Sequence, residues 1–202
     1  MRGPIDRMTE RLPAPWRSVV DWILTIAIAI AAVLAIKAWV VNPYRIPSSS
    51  MEPTLHCARG PLNDGCEARF SDRVLANRFI YHFKNPERGD IIVFDTPPEA
   101  EQRCGGAGGT FVKRLVGLPG ERIAEREGVV FINDRPLREP YLDGRRDDAT
   151  FPERRIPSGH YFMMGDNRGQ SCDSRVWGAV PRSNLIGEVF AVYWPPQRIG
   201  FR

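Results

Sequence analysis

The apolar run from Trp22 to Val41 constrains this chain more than any other feature of its sequence. It holds 20 residues with one charge, Lys37, and as an α-helix it would extend about 30 Å, the thickness of a bilayer's hydrocarbon core. A tryptophan stands at or near each end, as is common at membrane interfaces. The positive-inside rule predicts a transmembrane helix over residues 18–41 with residues 1–17 in the cytoplasm, because the run is preceded by Arg2, Arg7, Arg11 and Arg17.

Two other interpretations of this run stay open. A cleaved secretory signal also has a basic start and an apolar stretch, and Ala29-Ile-Ala31 offers a cleavage-type sequence. These alanines lie inside the run, however, and not at its polar end. A buried core helix would carry a polar face, whereas this segment is apolar all round. A retained anchor is therefore favoured.

Beyond the run the chain changes to short β-type segments separated by Gly, Pro and Asn-Asp turns. Such a pattern predicts a mainly β fold, an antiparallel sheet or barrel-like catalytic domain outside the cytoplasm that follows one N-terminal transmembrane helix. This domain spans residues 42–202, with residues 117–159 as a small β extension. Thr96–Gly109 and Asp143–Pro157 are predicted loops. The predicted strands are Arg73–Ala76, Asp90–Phe94, Thr110–Val116, Gly128–Ile132, His160–Met164 and Glu188–Trp194.

The net charge of +4 does not indicate a nucleic-acid partner. Basic residues are scattered among acidic ones, and neither a basic stripe nor a nucleic-acid-binding motif accompanies them. Of the 28 basic residues only Lys37, Lys84 and Lys113 are lysines, so each of the three is a candidate for a specific role.

Four cysteines in a domain predicted to lie outside the cytoplasm favour disulfides, for which three connectivities exist. Cys57 and Cys66 bracket a short loop, so a local bridge is favoured, which leaves Cys104 with Cys172. Four free thiols that bind a metal are the alternative. No C-x-x-C motif is present, so we predict neither a metal nor a cofactor.

The stretch IPSSSMEPTL, residues 46–55, places three serines just beyond the apolar run. A hydroxyl needs a base before it becomes a good nucleophile. The three histidines are poorly placed: His56 is too near in sequence, His82 lies in a polar turn and His160 starts an apolar strand. No G-x-S-x-G or S-x-x-K motif occurs, so a histidine triad is disfavoured.

Lys113 is the favoured base. The two-residue period of a strand places Phe111, Lys113 and Leu115 on one face. An ammonium between two large apolar side chains loses hydration, which lowers the pKa of the lysine and supplies the neutral amine that a general base needs. A lysine that extends to solvent from an edge strand is equally compatible with this local pattern.

The polar segment from Met163 to Gly178, MMGDNRGQSCDSRVWG, predicts a tight loop with many bonds between side chains and backbone. Its charged residues are expected to form a fixed set of ion pairs. These pairs would either stabilise a polar turn between two strands or position the residues of a functional site. These residues are Asp166, Arg168, Asp173 and Arg175.

Four stretches, in this order after one apolar segment, resemble the conserved boxes of type I signal peptidases, membrane-bound leader peptidases with a Ser/Lys dyad. Each box alone is modest support, but four collinear boxes that cover most of residues 46–178 are specific. The boxes are PSSSMEPTL, RGDIIVF at Arg88–Phe94, FVKRLVGLPGE at Phe111–Glu121 and GDNRGQSCDSRVWG at Gly165–Gly178.

The resemblance implies that Ser50 is the nucleophile and Lys113 the general base, with Asp166 and Arg114 in a structural contact. It also implies that Ser48 supplies a hydroxyl to the oxyanion hole. Ser171 is implied to orient the lysine amine, and Asp173 with Arg175 to form a supporting ion pair.

The implied substrates are exported preproteins with signal peptides, cut after small-x-small sites such as Ala-x-Ala at the outer face of a bacterial plasma membrane. The implied partners are these preproteins and the lipid bilayer; the oligomeric state stays open. The positions implied to line shallow substrate pockets, where an extended peptide pairs with strand edges, are Tyr44, Ile46, Pro47, Met51 and Val112.

Two departures from the family pattern are visible. Gly169-Gln170 stands where Asp-Asn is usual, and Cys172 follows Ser171. A bridge from Cys172 to Cys104 would tie the Ser171 loop to the segment that leads into the Lys113 strand.

Other classes stay as alternatives: a self-cleaving repressor-type or conjugation-type Ser/Lys peptidase, or a non-enzymatic anchored β-domain. The apolar run and the last box disfavour the repressor type, and intact Ser50 and Lys113 disfavour the non-enzymatic domain.

Overall fold

The structure is a computed structural model that describes residues 14–39, 41–61, 65–104 and 109–202. The chain divides into two compact units, a first that ends at Val41 and a second over Asn42–Arg202.

In the described part of the first unit, the chain forms a long helix, α1, Ala14–Trp39. Its Ala, Leu and Ile residues are compatible with a helix throughout, and no Gly or Pro interrupts it after its first turn. Apolar side chains on several sides of the helix, among them Ile23, Ile26 and Ile28, are more than half exposed. Within the described residues, none of the helices meets both the length and the hydropathy that a membrane crossing requires.

The second unit is built from strands that match the predicted mainly β, antiparallel class. The strands are β1 Val41–Arg45, β2 Arg73–Asn77, β3 Ile91–Asp95, β4 Thr110–Gly117, β5 Arg122–Arg126, β6 Val129–Ile132, β7 Arg135–Pro136, β8 Phe151–Arg155, β9 His160–Met164, β10 Val180–Pro181, β11 Leu185–Trp194 and β12 Gly200–Phe201. Two short helices, α2 Pro98–Arg103 and α3 Ser174–Trp177, lie between them.

These strands form two sheets. The larger has the order β1-β2-β11-β3-β4-β9-β10, with β12 paired to β11, and the smaller has the order β7-β6-β5-β8. Neighbouring strands run antiparallel wherever a register is defined. All six predicted strands are present, with bounds that move by a few residues at most.

Both predicted loops were wrong in part. Within Thr96–Gly109 the chain forms α2, whose start has Pro98 in its first turn followed by Glu99 and Glu101, residues that suit a helix N-terminus. Within Asp143–Pro157 the chain forms β8, an edge strand of the smaller sheet. Only Phe151 of β8 is buried, so the alternation that reveals a strand is missing.

Strand β4, which carries Lys113, lies inside the larger sheet. It pairs with β3, where Lys113 is opposite Ile92, and with β9, where Arg114 is opposite Met164. The hypothesis of a lysine that extends to solvent from an edge strand is therefore wrong.

Three apolar clusters pack around this strand. Phe111 and Leu115 belong to one cluster, Val112 to a second and Val116 to a third, so β4 places side chains into all three. The alternation predicted for this strand is confirmed, and it leaves Lys113 buried on the face of Phe111 and Leu115.

Candidate active site

The serine-rich segment forms a short 3-10 helix, Ser49–Met51, just after β1. Ser50 and Met51 are buried. The backbone N–H of Asn167 donates to the Ser50 carbonyl at 3.1 Å, and its side-chain amide donates to the Ser49 carbonyl at 3.2 Å. The loop after β9 therefore holds the serine segment by its backbone and leaves the Ser50 hydroxyl available.

Lys113 reaches this hydroxyl from β4, 63 residues away in sequence. Its Nζ donates to Ser50 Oγ at 2.5 Å, and the side chain is 4% exposed. The ring centroid of Phe111 lies 5.4 Å from Nζ. Burial lowers the pKa of Lys113 from 10.5 to about 8, although the charges of Asp173 and Asp166 act in the opposite direction. Loss of hydration therefore dominates, as the strand pattern predicted.

The other two predicted hydroxyls lie near Ser50 but differ in their contacts. Ser48 Oγ is 3.3 Å from Ser50 Oγ. Ser171 Oγ is buried and has no hydrogen-bond partner among the described residues, so the expected bond to the Lys113 amine is absent here. In this structure the amine donates to Ser50 instead.

Gly165 allows the serine segment and the Ser171 loop to approach one another. A Cβ added at this position would lie 2.2 Å from Ser171 Oγ and 2.4 Å from the Ser50 carbonyl oxygen. These distances are far below van der Waals contact, so no residue with a side chain fits unless the serine segment or the Ser171 loop moves.

Arg114, next to Lys113, joins β4 to the loop after β9 through an ion pair with Asp166. Its Nε donates to Asp166 Oδ1 at 2.8 Å and its Nη2 to Asp166 Oδ2 at 2.6 Å. Thr54, four residues after the nucleophile candidate, donates to the same carboxylate at 2.5 Å. The expected contact between Arg114 and Asp166 is confirmed, and it joins all three parts of the site.

The ion pairs of the polar loop extend further than predicted. Arg175 binds Asp173 in the expected way, with Nε donating to Oδ1 at 2.9 Å and Nη2 to Oδ2 at 3.0 Å. Arg168, however, is wholly buried and pairs with Glu139, while its Nη1 lies 3.6 Å from Glu125. These two glutamates were missed because they belong to the region of the smaller sheet, far away in sequence.

A groove of about 490 Å³ opens beside Ser50 and Lys113. All five positions predicted to line substrate pockets are in its lining, and none of the three histidines is. The lining residues are Tyr44, Arg45, Ile46, Pro47, Ser48, Ser50, Met51, Cys104, Thr110, Phe111, Val112, Lys113, Gln170 and Cys172. Sequence reasoning missed Phe111 and Thr110 as lining residues, although they share a strand with Val112.

The cysteines are paired as Cys57–Cys66, with Cα atoms 5.1 Å apart, and as Cys104–Cys172, with Cα atoms 6.0 Å apart. Among the described residues no cysteine is free, so the alternative of four free thiols on a metal does not fit.

In the described part of the chain, two groups of side chains outside the groove have the spacing of metal ligands, but one of them contains the disulfide-bonded Cys57 and Cys66. In the other, ligand atoms of Glu52, His56 and Glu67 lie within 4.8 Å of one another. Glu67 is already bound by Arg145 at 2.6 Å, and His56 Nδ1 faces Glu52 Oε2 at 3.3 Å. Because Glu67 is already paired with Arg145, we do not propose a metal site here.

A serine hydroxyl in contact with a buried amine is an arrangement found in serine hydrolases. The family model described as signal peptidase, peptidase S26, matches residues 19–194. A signal peptidase I from Leptolyngbya laminosa is 37% identical and covers 90% of this chain and 83% of its own length. A probable signal peptidase I-1 from Synechocystis is 36% identical and covers 94% of this chain and 89% of its own length. The chain therefore belongs to the signal peptidase family, peptidase S26, and is an enzyme of that family.

A solved structure is also similar. The crystal structure of a signal peptidase I from Enterococcus faecalis V583 is 33% identical, covers 52% of this chain and 97% of its own, and has a TM-score of 0.43.

Proposed function

We propose that this protein removes signal peptides from exported preproteins by means of a Ser50/Lys113 dyad. The contact of 2.5 Å between Lys113 Nζ and Ser50 Oγ, in a site that buries the amine, carries this proposal. Membership of the signal peptidase family supports the choice of substrate.

In the first step the neutral amine of Lys113 takes the proton of Ser50, and the serine oxygen attacks the scissile carbonyl. The resulting ammonium returns the proton to the leaving amine, and an ester between Ser50 and the signal peptide remains. A water molecule then attacks the ester, gives its proton to Lys113 and releases the acid. The proton returns to Ser50, so the enzyme is restored.

Ser48 is proposed to stabilise the oxyanion. Its hydroxyl lies 3.3 Å from Ser50 Oγ, close enough for the proposed role as a donor to the negative charge that develops on the substrate carbonyl oxygen. The Ser50 backbone N–H is the second proposed donor. The charge on the oxygen exists only in the transition state, so such donors accelerate the reaction more than they tighten binding.

Asp173 with Arg175 and Ser171 are proposed to support the dyad. Asp173 accepts a hydrogen bond from the Gly165 N–H at 3.1 Å and is held by Arg175, so the two fix the turn that contacts the serine segment. Ser171 has a buried hydroxyl without a partner among the described residues, and we propose that it accepts a hydrogen bond from the ammonium of Lys113 during the reaction.

We propose that the groove determines the cleavage specificity. Tyr44, Ile46, Pro47, Met51 and Val112 give it a mostly apolar lining of limited volume, about 490 Å³. An extended peptide with small side chains next to the scissile bond fits such a lining, which supports cleavage after small-x-small sites.

We infer further that the enzyme is anchored in a bacterial plasma membrane by residues 18–41, with residues 1–17 in the cytoplasm and the β-domain outside. The apolar run of 20 residues and the arginines before it support this. An anchored enzyme meets signal peptides where they leave the same bilayer.

Substitution of either dyad residue tests the function. Ser50→Ala and Lys113→Ala are each expected to reduce cleavage of a preprotein by at least about 10⁴-fold, because nucleophile and base act as one unit. Product formation is measured by gel mobility, and N-terminal sequencing of the product locates the cut.

The matched control is Lys84→Ala, which removes a lysine that is partly exposed and paired with Glu188 at 2.9 Å. This variant should cleave at the wild-type rate. Full activity in a folded Lys113→Ala protein would exclude the dyad.

A further inference from the structure

The Cys104–Cys172 disulfide forms part of the wall of the groove that contains Ser50. Both cysteines line the groove and both are half-buried. The Cys57–Cys66 disulfide is buried in an apolar cluster and is not part of the lining. Of the two disulfides, Cys104–Cys172 is therefore the one that lines the groove.

The lining of the groove comes from three parts of the chain. The first is the segment 44–51 and the second is the start of β4, residues 110–113. The third consists of Cys104, at the end of α2, together with Gln170 and Cys172 from the loop before α3. Whereas β4 is held by strands on both sides, this third part belongs to no sheet.

The loop before α3 is held by Asn167, which bonds to the serine segment, and by Arg175. Among the described residues, however, few contacts apart from the disulfide join α2 to this loop and to α3. Arg103 Nη1 donates to the Val176 carbonyl at 2.9 Å, and Ala100 packs into the cluster that contains Trp177. Ser49 Oγ donates to Gln170 Oε1 at 3.1 Å, on an exposed side of the loop. The covalent bond between Cys104 and Cys172 is thus the strongest link between α2 and the loop before α3.

The disulfide also packs against an apolar cluster. Cys104 and Cys172 pack against the cluster of Phe111 and Trp177, whose rings lie 5.4 Å apart. Phe111 itself lines the groove and lies next to the Lys113 amine. The position of the sulfur atoms is therefore fixed relative to the reacting groups.

We infer that the Cys104–Cys172 disulfide sets the width of the groove and thereby determines the preference for small side chains in the cleaved peptide. This inference rests on the proposed function. The covalent bond prevents α2 from moving away from the loop to admit a larger side chain, whereas one hydrogen bond and packing between α2 and α3 would allow this movement. Steric exclusion of this kind needs a rigid pocket, since close packing is what penalises excess volume.

The inference is tested with the full-length Cys104→Ala/Cys172→Ala protein and two preproteins that differ only in Ala or Leu before the scissile bond. Wild type is expected to prefer Ala by at least about 100-fold in kcat/KM, a range typical of pocket discrimination. In the double variant the ratio of kcat/KM for the Ala preprotein to that for the Leu preprotein should be at least about tenfold smaller, mainly because cleavage after Leu becomes faster. An unchanged preference in a folded double variant would overturn the inference.

Cys57→Ala/Cys66→Ala is the matched control, because it removes a disulfide that does not line the groove. It should keep the wild-type preference; a loss as large as that of the other pair would also overturn the inference. In this control protein Cys104–Cys172 is the only remaining disulfide, so its reduction with dithiothreitol breaks that bond alone. The preference should fall on reduction and return on reoxidation, even if the Cys104→Ala/Cys172→Ala protein does not fold.

Acylation of Ser50 by serine-reactive probes needs no preprotein, so it separates this inference from the proposed function. If the wild-type protein cleaved no preprotein, the proposed function would be contradicted, but the inference could still be tested. The rates at which a small and a bulky probe label Ser50 report the width of the groove directly. Loss of the disulfide should raise the bulky-to-small ratio at least about tenfold; an unchanged ratio would overturn the inference.

Discussion

At the scale of single residues, burial of Lys113 lowers its pKa into the range that a general base needs. Its pKa falls to about 8 because its amine loses hydration among Phe111, Leu115 and the serine segment. A base with this pKa is partly neutral near neutral pH, which general-base catalysis requires. The value of kcat/KM is expected to rise with pH through about 8. A profile that rises near 6.5, as a histidine would give, would contradict this assignment.

The same shift in pKa predicts a cost to stability. Folding favours the neutral amine, so the contribution of Lys113 to the free energy of unfolding is complete above pH 10.5 and is lost as the pH falls to about 8. Lys113→Met has no such titration. It should therefore raise the free energy of unfolding at pH 7 by about 3 kcal/mol more than at pH 10.5, although it abolishes activity.

Urea unfolding at the two pH values measures this difference. Lys84→Met serves as control, because the pKa of Lys84 is raised by its hydrogen bond to Glu188 and the variant should show no gain at pH 7. An equal effect of Lys113→Met at both pH values would show that the amine is not desolvated in solution.

Gly165 gives a second prediction at this scale. Gly165→Ala places a methyl group against Ser171 Oγ and the Ser50 carbonyl oxygen. The nucleophile must shift, and a displacement near 1 Å is expected to lower kcat by about 100-fold. Gly60→Ala is the control, because a Cβ there has no neighbour within 4 Å. Equal cleavage rates of the two variants in a preprotein assay would contradict this role.

At the scale of secondary structure elements, Glu125 links β5 of the smaller sheet to the catalytic loop. Its carboxylate is wholly buried and lies 3.6 Å from Arg168 Nη1 and from Arg175 Nη1, beyond hydrogen-bond distance. Both carboxylate oxygens have no partner among the described residues. Burial therefore raises the pKa of Glu125 from 4.5 to about 7, against the attraction of Arg175 and with the support of Asp147.

Glu125→Gln is expected to stabilise the protein at high pH. A carboxyl whose pKa is raised by folding contributes its stability below pH 4.5 and loses it as the pH rises through 7. The variant should raise the free energy of unfolding at pH 8.5 by about 2–3 kcal/mol more than at pH 5. Denaturant unfolding at both pH values measures it, with exposed Glu153→Gln on β8 as control. Destabilisation at pH 8.5 would mean that ion pairing outweighs desolvation.

The elements also show where sequence reasoning works. Strand β4 was predicted with its correct faces, because Phe111 and Leu115 flank Lys113 on one face while Val112 and Val116 flank Arg114 on the other. Edge strand β8 was missed, since Pro152 and three charged residues face solvent there. Local pattern thus identifies a strand whose faces carry apolar residues, while a polar edge strand is recognised only once its partner, β5, is known.

At the scale of the whole molecule, the main prediction concerns the N-terminal helix. Its apolar side chains, such as Ile26, Ile28 and Ile30, are more than half exposed, which an aqueous environment would penalise. We expect the full-length protein to stay in the membrane fraction after alkaline carbonate extraction.

Ile28→Arg/Ile30→Arg should weaken this attachment, because each charge at the centre of a span costs about 2.5–3.5 kcal/mol. Ser18→Arg, at the end of the predicted span, should not. Release of the wild-type chain into the soluble fraction would contradict the anchor, and immunoblots of the two fractions measure it.

Composition and periodicity by themselves determined much of this protein: a long apolar helix followed by a mainly β domain, and a strand that places a lysine on the same face as two large apolar side chains. Whether this strand lies inside the sheet or at its edge was not determined by the local pattern. The motifs determined the family, because four short stretches occur in a fixed order. These features are local along the chain, so residue type and spacing are sufficient to reveal them.

Only the tertiary structure decided which distant groups meet. It placed Lys113 Nζ at 2.5 Å from Ser50 Oγ, put the Cys104–Cys172 disulfide into the wall of the groove, and brought Glu125 to Arg168. It also left Ser171 without the expected hydrogen bond. Such contacts depend on strand register and on packing between sheets, and a linear pattern does not encode either one directly.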